Sequence, residues 1–181
     1  MRLKRGFSYG EVKMDRAFRC ARSRASFILL GLLIALRAAS AQELVGTWKL
    51  ISETVQRGDQ TDQPFGASPL GTMVFDPGGH IAMIISRPSL PRIEANRRDA
   101  GTPDENKTIL AGTLAFFGTY KVSVPDGLLT IHVEGSTFPN WVGTDQKRYF
   151  TLAGDEMTWV NHAPAVSGET AKLVWRRQKT E

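Results

Sequence analysis

The chain has 181 residues, with 23 Lys and Arg against 18 Asp and Glu, a formal net charge of +5. That length suits one domain with a sizeable core. Nine of the basic residues but only two of the acidic ones fall in the first 41 positions, so residues 42–181 carry 14 basic and 16 acidic groups, a net of −2, and nothing in that balance calls for a nucleic-acid partner.

Residues 2–24 are rich in Arg and Lys, Ser26–Leu36 (SFILLGLLIAL) is continuously apolar, and the small residues Ala39-Ser40-Ala41 follow. That order describes a secretory signal peptide over residues 1–41, cleaved before Gln42. The apolar run of 11 residues is about half of what a membrane-spanning helix needs. The expected product is therefore an exported protein, periplasmic or secreted, with no membrane span after cleavage. The sole cysteine, Cys20, lies in the leader, which leaves residues 42–181 without a disulfide or a thiolate metal site.

The remainder, residues 42–181, reads as one domain of short strands punctuated by Gly and Pro, the pattern of an all-β sandwich or barrel. Gly46–Val55 is the first strand, with Trp48, Leu50 and Ser52 on one face. Gly71–Asp76 and His80–Arg87 form a hairpin around Asp76-Pro77-Gly78-Gly79. The polar stretch Pro88–Gly101 reads as a solvated loop. Thr102-Pro103-Asp104-Glu105 then combines a capping Thr, a first-turn Pro and a Glu three residues after the cap, so a helix is predicted to about Leu114, with Ile109, Leu110 and Leu114 placed to cover one mouth of a barrel. Ala115–Val124, Leu128–Glu134, Thr144–Leu152, Met157–Asn161 and Ala171–Gln178 complete a meander of eight strands. The predicted fold is all-β: an eight-stranded antiparallel up-and-down barrel with one short helix over or beside it, wide enough for one small ligand.

Several stretches resemble a known family. Leu44-Val45-Gly46-Thr47-Trp48-Lys49-Leu50 resembles the Gly-x-Trp opening of lipocalins. The Phe75–His80 turn, Phe117-Gly118-Thr119-Tyr120, the block from Val133 through Gly143, and Leu173-Val174-Trp175-Arg176-Arg177 are similar to the bacterial and fungal lipocalin-like domain family. The similarity runs from Leu44 to Arg177 and implies an eight-stranded barrel with an internal cavity. Members often carry a His pair where this chain has Ile131-His132, so a role that needs both imidazoles is not implied.

The polar residues concentrate between Thr130 and Phe150. Alternation puts His132 and Glu134 on one face of their strand, and Gln146 and Arg148 on one face of the next. The expectation is that all four converge inside the barrel with Tyr120 beside them, and that Asn140 and Trp141 of the Phe138–Trp141 corner complete a ligand site. His132, Glu134 and Arg148 are also the candidate catalytic set, a base with a carboxylate neighbour and a guanidinium for developing negative charge. The structural alternative has Arg148 neutralising Glu134 and His132 donating to a carbonyl. His80, His132 and His162 stand apart, and a metal site needs three or four ligands, so no metal is expected. No phosphate loop, dinucleotide fingerprint or nucleophile elbow is present, and no cofactor is expected. Barrel closure must pair the first strand with the last, which places Arg177 over the ring of Trp48 in a structural role. The function expected is binding of a small, partly apolar molecule in the barrel. The alternatives are a cofactor-free isomerase, cyclase or lyase using His132, Glu134 and Arg148, or a filled barrel acting as an interaction module.

Overall fold

The computed structural model describes residues 42–123, 125–162 and 170–179; the expected leader over residues 1–41 lies outside them. Among the described residues the strands are β1 (Gly46–Arg57), β2 (Gln60–Asp62), β3 (Leu70–Phe75), β4 (His80–Ser86), β5 (Thr113–Ser123), β6 (Leu128–Ser136), β7 (Asp145–Ala153), β8 (Glu156–Asn161) and β9 (Thr170–Arg177). Each pairs antiparallel with the next from β3 to β9, and β1 joins both β3 and β9, so eight strands close into an up-and-down barrel. The three-residue β2 turns back on the end of β1 and stands outside the closed ring. No helix among the described residues is long and apolar enough to cross a membrane.

The one α-helix, α1 (Pro103–Ala111), starts where the capping pattern puts it. Thr102 Oγ1 accepts from the Glu105 backbone N–H, and Glu105 Oε2 accepts from the Thr102 N–H at 2.7 Å. It stops three residues short of the predicted end. The Gly112 N–H folds back onto Thr108 and Ile109 carbonyls, and Thr113 and Leu114 open β5 instead. The helix buries no residue and Leu110 is exposed. It stands beside the barrel, and only Leu114, as a strand residue, reaches the mouth.

The two ends of the barrel differ because their connections differ. At one end lie the short Asp76–Gly79, Pro125–Gly127 and Gly154–Asp155 turns together with the start of β1. At the other lie the connections carrying β2, α1 and the Phe138–Thr144 corner. The short-turn end is packed solid. Trp48, Trp159 and Trp175 are fully buried, with Phe75 edge-on to Tyr120 at 4.9 Å and to Trp159 at 6.4 Å. The Trp48 indole N–H donates to the Leu44 carbonyl at 2.8 Å. The guanidinium of Arg177 lies 4.2 Å from the centre of the Trp48 ring, and its Nη1 donates to the Val45 carbonyl at 2.7 Å while Nη2 donates to that of Glu43. One side chain thus ties the last strand to the segment entering the first.

Two bulges break the strict alternation. In β1 the register with β9 jumps between Leu50 and Ser52. In β6 it jumps opposite Phe117 and Gly118, where Glu134 is the extra residue. Gly118 is required there, since a Cβ would sit 1.9 Å from the His132 carbonyl oxygen.

Arg177→Ala removes the ring contact and leaves carbonyls at the closed end without a donor. A loss of about 1–2 kcal/mol is expected, read as a lower urea midpoint with unchanged slope. An unchanged midpoint would show that Arg177 does not tie the ends together.

Candidate functional site

The β1 bulge decides what the barrel holds. Trp48 and Leu50 point inward; the strand then takes up the extra residue Ile51, and the inward positions become Glu53 and Val55. A bulge of this kind shifts the side-chain alternation by one. Ser52, placed inward by simple alternation, therefore gives way to Glu53, a carboxylate that is only 6 % exposed. The sequence carried a trace of this. Its apolar positions change parity, from Trp48 and Leu50 to Val55, across the adjacent pair Leu50-Ile51.

Glu53 opens onto a narrow cavity at the long-connection end, with about 30 Å³ of free space, room for a water or two. Its wall is Phe65, Met83, Ile85, Leu114, Phe116, Trp141, Trp159, Ala171 and Leu173, and its polar members are Glu53, Arg148 and Asn161. Burial alone pushes the Glu53 carboxyl up to about 7, because the charged form loses its water. Arg148 is 3 % exposed, and burial pushes its guanidinium down to about 10. Its Nη1 donates to its neighbour's carbonyl, Lys147 O, at 2.8 Å, its Nη2 meets Gln146 Oε1 at 3.5 Å, and the group lies 5.2 Å from the Trp141 ring centre. Among the described residues no carboxylate comes within 4.0 Å of it. Trp141 is itself held edge-on by Phe116 at 6.0 Å and Phe138 at 5.7 Å. The β7–β8 register pairs Tyr149 with Val160, so the next position along sets Arg148 beside Asn161.

The polar set expected to converge does not. His132 and Glu134 lie on the outer wall, both exposed, because Leu129, Ile131 and Val133 hold the inward positions of β6. Three buried aliphatic side chains stabilise by roughly 1.5–3 kcal/mol each, whereas a buried imidazole and carboxylate would cost several kcal/mol, so the apolar face wins. His132 Nδ1 pairs outside with Asp145 Oδ1 at 2.8 Å, not with a backbone carbonyl, and Arg148 does not neutralise Glu134. The candidate catalytic trio is thus split by the barrel wall. Gln146 sits half-buried at the rim, its Nε2 donating to Thr144 Oγ1 at 2.8 Å. Asn140 is exposed and off the lining. Tyr120 belongs to the closed end, where its hydroxyl donates to the Asp76 carbonyl at 3.0 Å. Of the expected site residues, Arg148 and Trp141 line the cavity; its other two polar members, Glu53 and Asn161, were not among those expected. A second, shallow cleft of about 360 Å³ lies on the outer wall. There Phe117 covers Gly135 so closely that a Cβ would fall 2.4 Å from the ring.

A closed eight-stranded antiparallel up-and-down barrel with one helix is a lipocalin-like fold. The lipocalin-like domain model matches residues 45–178, and the chain belongs to that family. A protein from Aspergillus oryzae named 4'-hydroxy-3'-methoxypropiophenone carrier protein ppsC is 34% identical over 105 residues, covering 51% of this chain and 92% of that relative. Among solved structures, a lipocalin-like protein from Bacteroides uniformis is 15% identical with a TM-score of 0.40, covering 75% of this chain and 98% of that one. An uncharacterized protein from Bacteroides eggerthii is 13% identical with a TM-score of 0.39, covering 75% and 99%.

Glu53 gives stability a characteristic pH dependence. A carboxyl whose pKa rises on folding holds its proton more tightly in the folded state, so the contribution of Glu53 to stability falls as pH climbs from its ordinary 4.5 to about 7 and is level on either side of that window. Glu53→Gln should abolish a drop of roughly 3 kcal/mol across it and be the more stable protein at pH 8. Denaturant titrations of both proteins at pH 4, 6 and 8 measure this, and parallel curves would show that Glu53 is not held in a dry site.

Proposed function

We propose that this protein is an exported carrier that holds a small, partly apolar molecule at the open end of its barrel. The observation that carries the reading is Arg148, a buried guanidinium set against the Trp141 ring in a mostly apolar cavity, with no carboxylate within 4.0 Å of it among the described residues. A buried charge without a counter-ion is costly, and a planar donor fork suits a carboxylate, enolate or phenol oxygen. The named cargo of the Aspergillus relative is a compound of this chemistry, one aromatic ring bearing hydroxyl, methoxy and ketone oxygens. Trp141, Trp159 and Phe116 supply ring faces and edges for such a guest. A guest of that size enters by spreading the mouth. Phe65 and Trp141 sit there on connections, not on strands of the ring.

Export is supported by the order of basic, apolar and small residues before Gln42. N-terminal sequencing of the protein recovered outside the cytoplasm should begin at or near Gln42; an intact 1–41 segment in the membrane fraction would overturn that part.

Binding is tested by titrating small aromatic acids, phenols and fatty acids while following tryptophan fluorescence. Wild type should bind, and Arg148→Met should weaken acidic ligands by roughly 10- to 100-fold. His132→Gln, altered on the outer wall, should bind as wild type does. Equal binding by the Arg148 variant would remove that residue from the site, and no binding by wild type to any of the series would sink the carrier reading.

A further inference from the structure

Three buried side-chain atoms among the described residues have no hydrogen-bond partner: Glu53 Oε2, Trp159 Nε1 and Trp175 Nε1. Glu53 and Trp159 both belong to the cavity lining. At the closed end the Trp48 indole and Arg177 find carbonyls while the Trp175 indole has no partner, so the contrast between the two ends lies in their charged groups. An unpaired buried polar atom costs about 1–3 kcal/mol, more when charged, and that cost is recovered when a guest supplies the missing partner. Arg148 stands three strands from Glu53 around the wall, through β8 and β9, and the two are not ion-paired.

We infer that Glu53 and Arg148 are a two-point anchor for a planar anionic ligand with a second, hydrogen-bond-accepting oxygen, and that such a ligand's arrival draws a proton from solvent onto Glu53. The inference rests on the carrier reading and specifies the ligand class. The lining without a guest holds one carboxyl and one guanidinium. A bound anion makes two acidic groups for one cation in a space of low dielectric, and like charges there do not both stay ionised. The ligand oxygen keeps its charge because the Arg148 fork holds it. Glu53 therefore takes the proton, and a protonated carboxyl becomes a donor able to bond a carbonyl or ether oxygen at the ligand's other end. The change is small for Glu53, since burial already brings its proton affinity close to neutrality. No other ionisable group competes among the described lining residues. β4 contributes Met83 and Ile85, β5 Leu114 and Phe116, β8 Trp159 and Asn161, β9 Ala171 and Leu173, and the two connections Phe65 and Trp141.

Calorimetry with 4-methoxybenzoate, ionised at pH 8, in phosphate and in Tris buffer counts the protons exchanged, because the two buffers differ in ionisation heat. Wild type should take up about one proton per ligand, and its Kd should weaken about tenfold from pH 8 to pH 9. The neutral probe 4-methoxybenzamide should bind without uptake. Glu53→Gln, which keeps a donor, should bind the benzoate with no uptake and a pH-independent Kd. Benzoate binding without proton uptake, uptake persisting in Glu53→Gln, or equal uptake with the benzamide would each overturn the inference and leave the carrier reading standing. If that variant does not fold, the benzoate–benzamide comparison in wild type decides. Failure of the benzoate, the benzamide and a fatty acid all to bind wild type would overturn the carrier reading, and this inference with it.

Discussion

Closing eight strands into a ring makes β1 serve two partners, β3 over Gly46–Lys49 and β9 from Trp48 to Gln56, and the extra residue at Ile51 lies within the β9 pairing. Below that bulge β1 sends Trp48 and Leu50 into the packed end; above it the strand sends in Glu53 and Val55. The same backbone irregularity that belongs to closure therefore delivers a carboxyl to the hollow end. Without it the inward residue would be Ser52, and the cavity would hold a guanidinium and an amide but no acid.

The two ends differ in how their charged groups are satisfied. At the closed end the indole N–H of Trp48 and two nitrogens of Arg177 are matched by carbonyls of the entering chain. That end behaves as structure. At the open end, among the described residues, Arg148 has as hydrogen-bond partners the carbonyl next to it and a long contact to Gln146, and Glu53 Oε2 has none. Buried polar groups are usually paired, and groups left unpaired at the mouth of a barrel are the natural place for a ligand to complete the set. The indoles and Phe75 fill the barrel below, and the cavity that Glu53 and Arg148 line occupies its upper part.

Much of the architecture was legible because it depends on local pattern. The capping box at Thr102–Glu105, the Asp-Pro-Gly-Gly hairpin and the Gly and Pro punctuation between short strands each speak for themselves in the chain. The candidate site was legible only in part. Trp141 and Arg148 were named, but His132 and Glu134 were assigned inward on the ground that clustered polar residues make a site. The alternation of Leu129, Ile131 and Val133 pointed the other way, and aliphatic burial outweighs any gain from gathering ionisable groups.

By itself the sequence determined the eight strands of the ring, the order of the meander, the helix start and the meeting of Trp48 with Arg177, since each follows from neighbouring residues or from the need to pair the first strand with the last. What only the tertiary structure decided is which face of each strand looks inward where the register jumps, and hence that Glu53 shares a cavity with Arg148. A bulge is fixed by how one strand must bend between two partners, and that bend is a property of the closed ring, not of the twelve residues of β1.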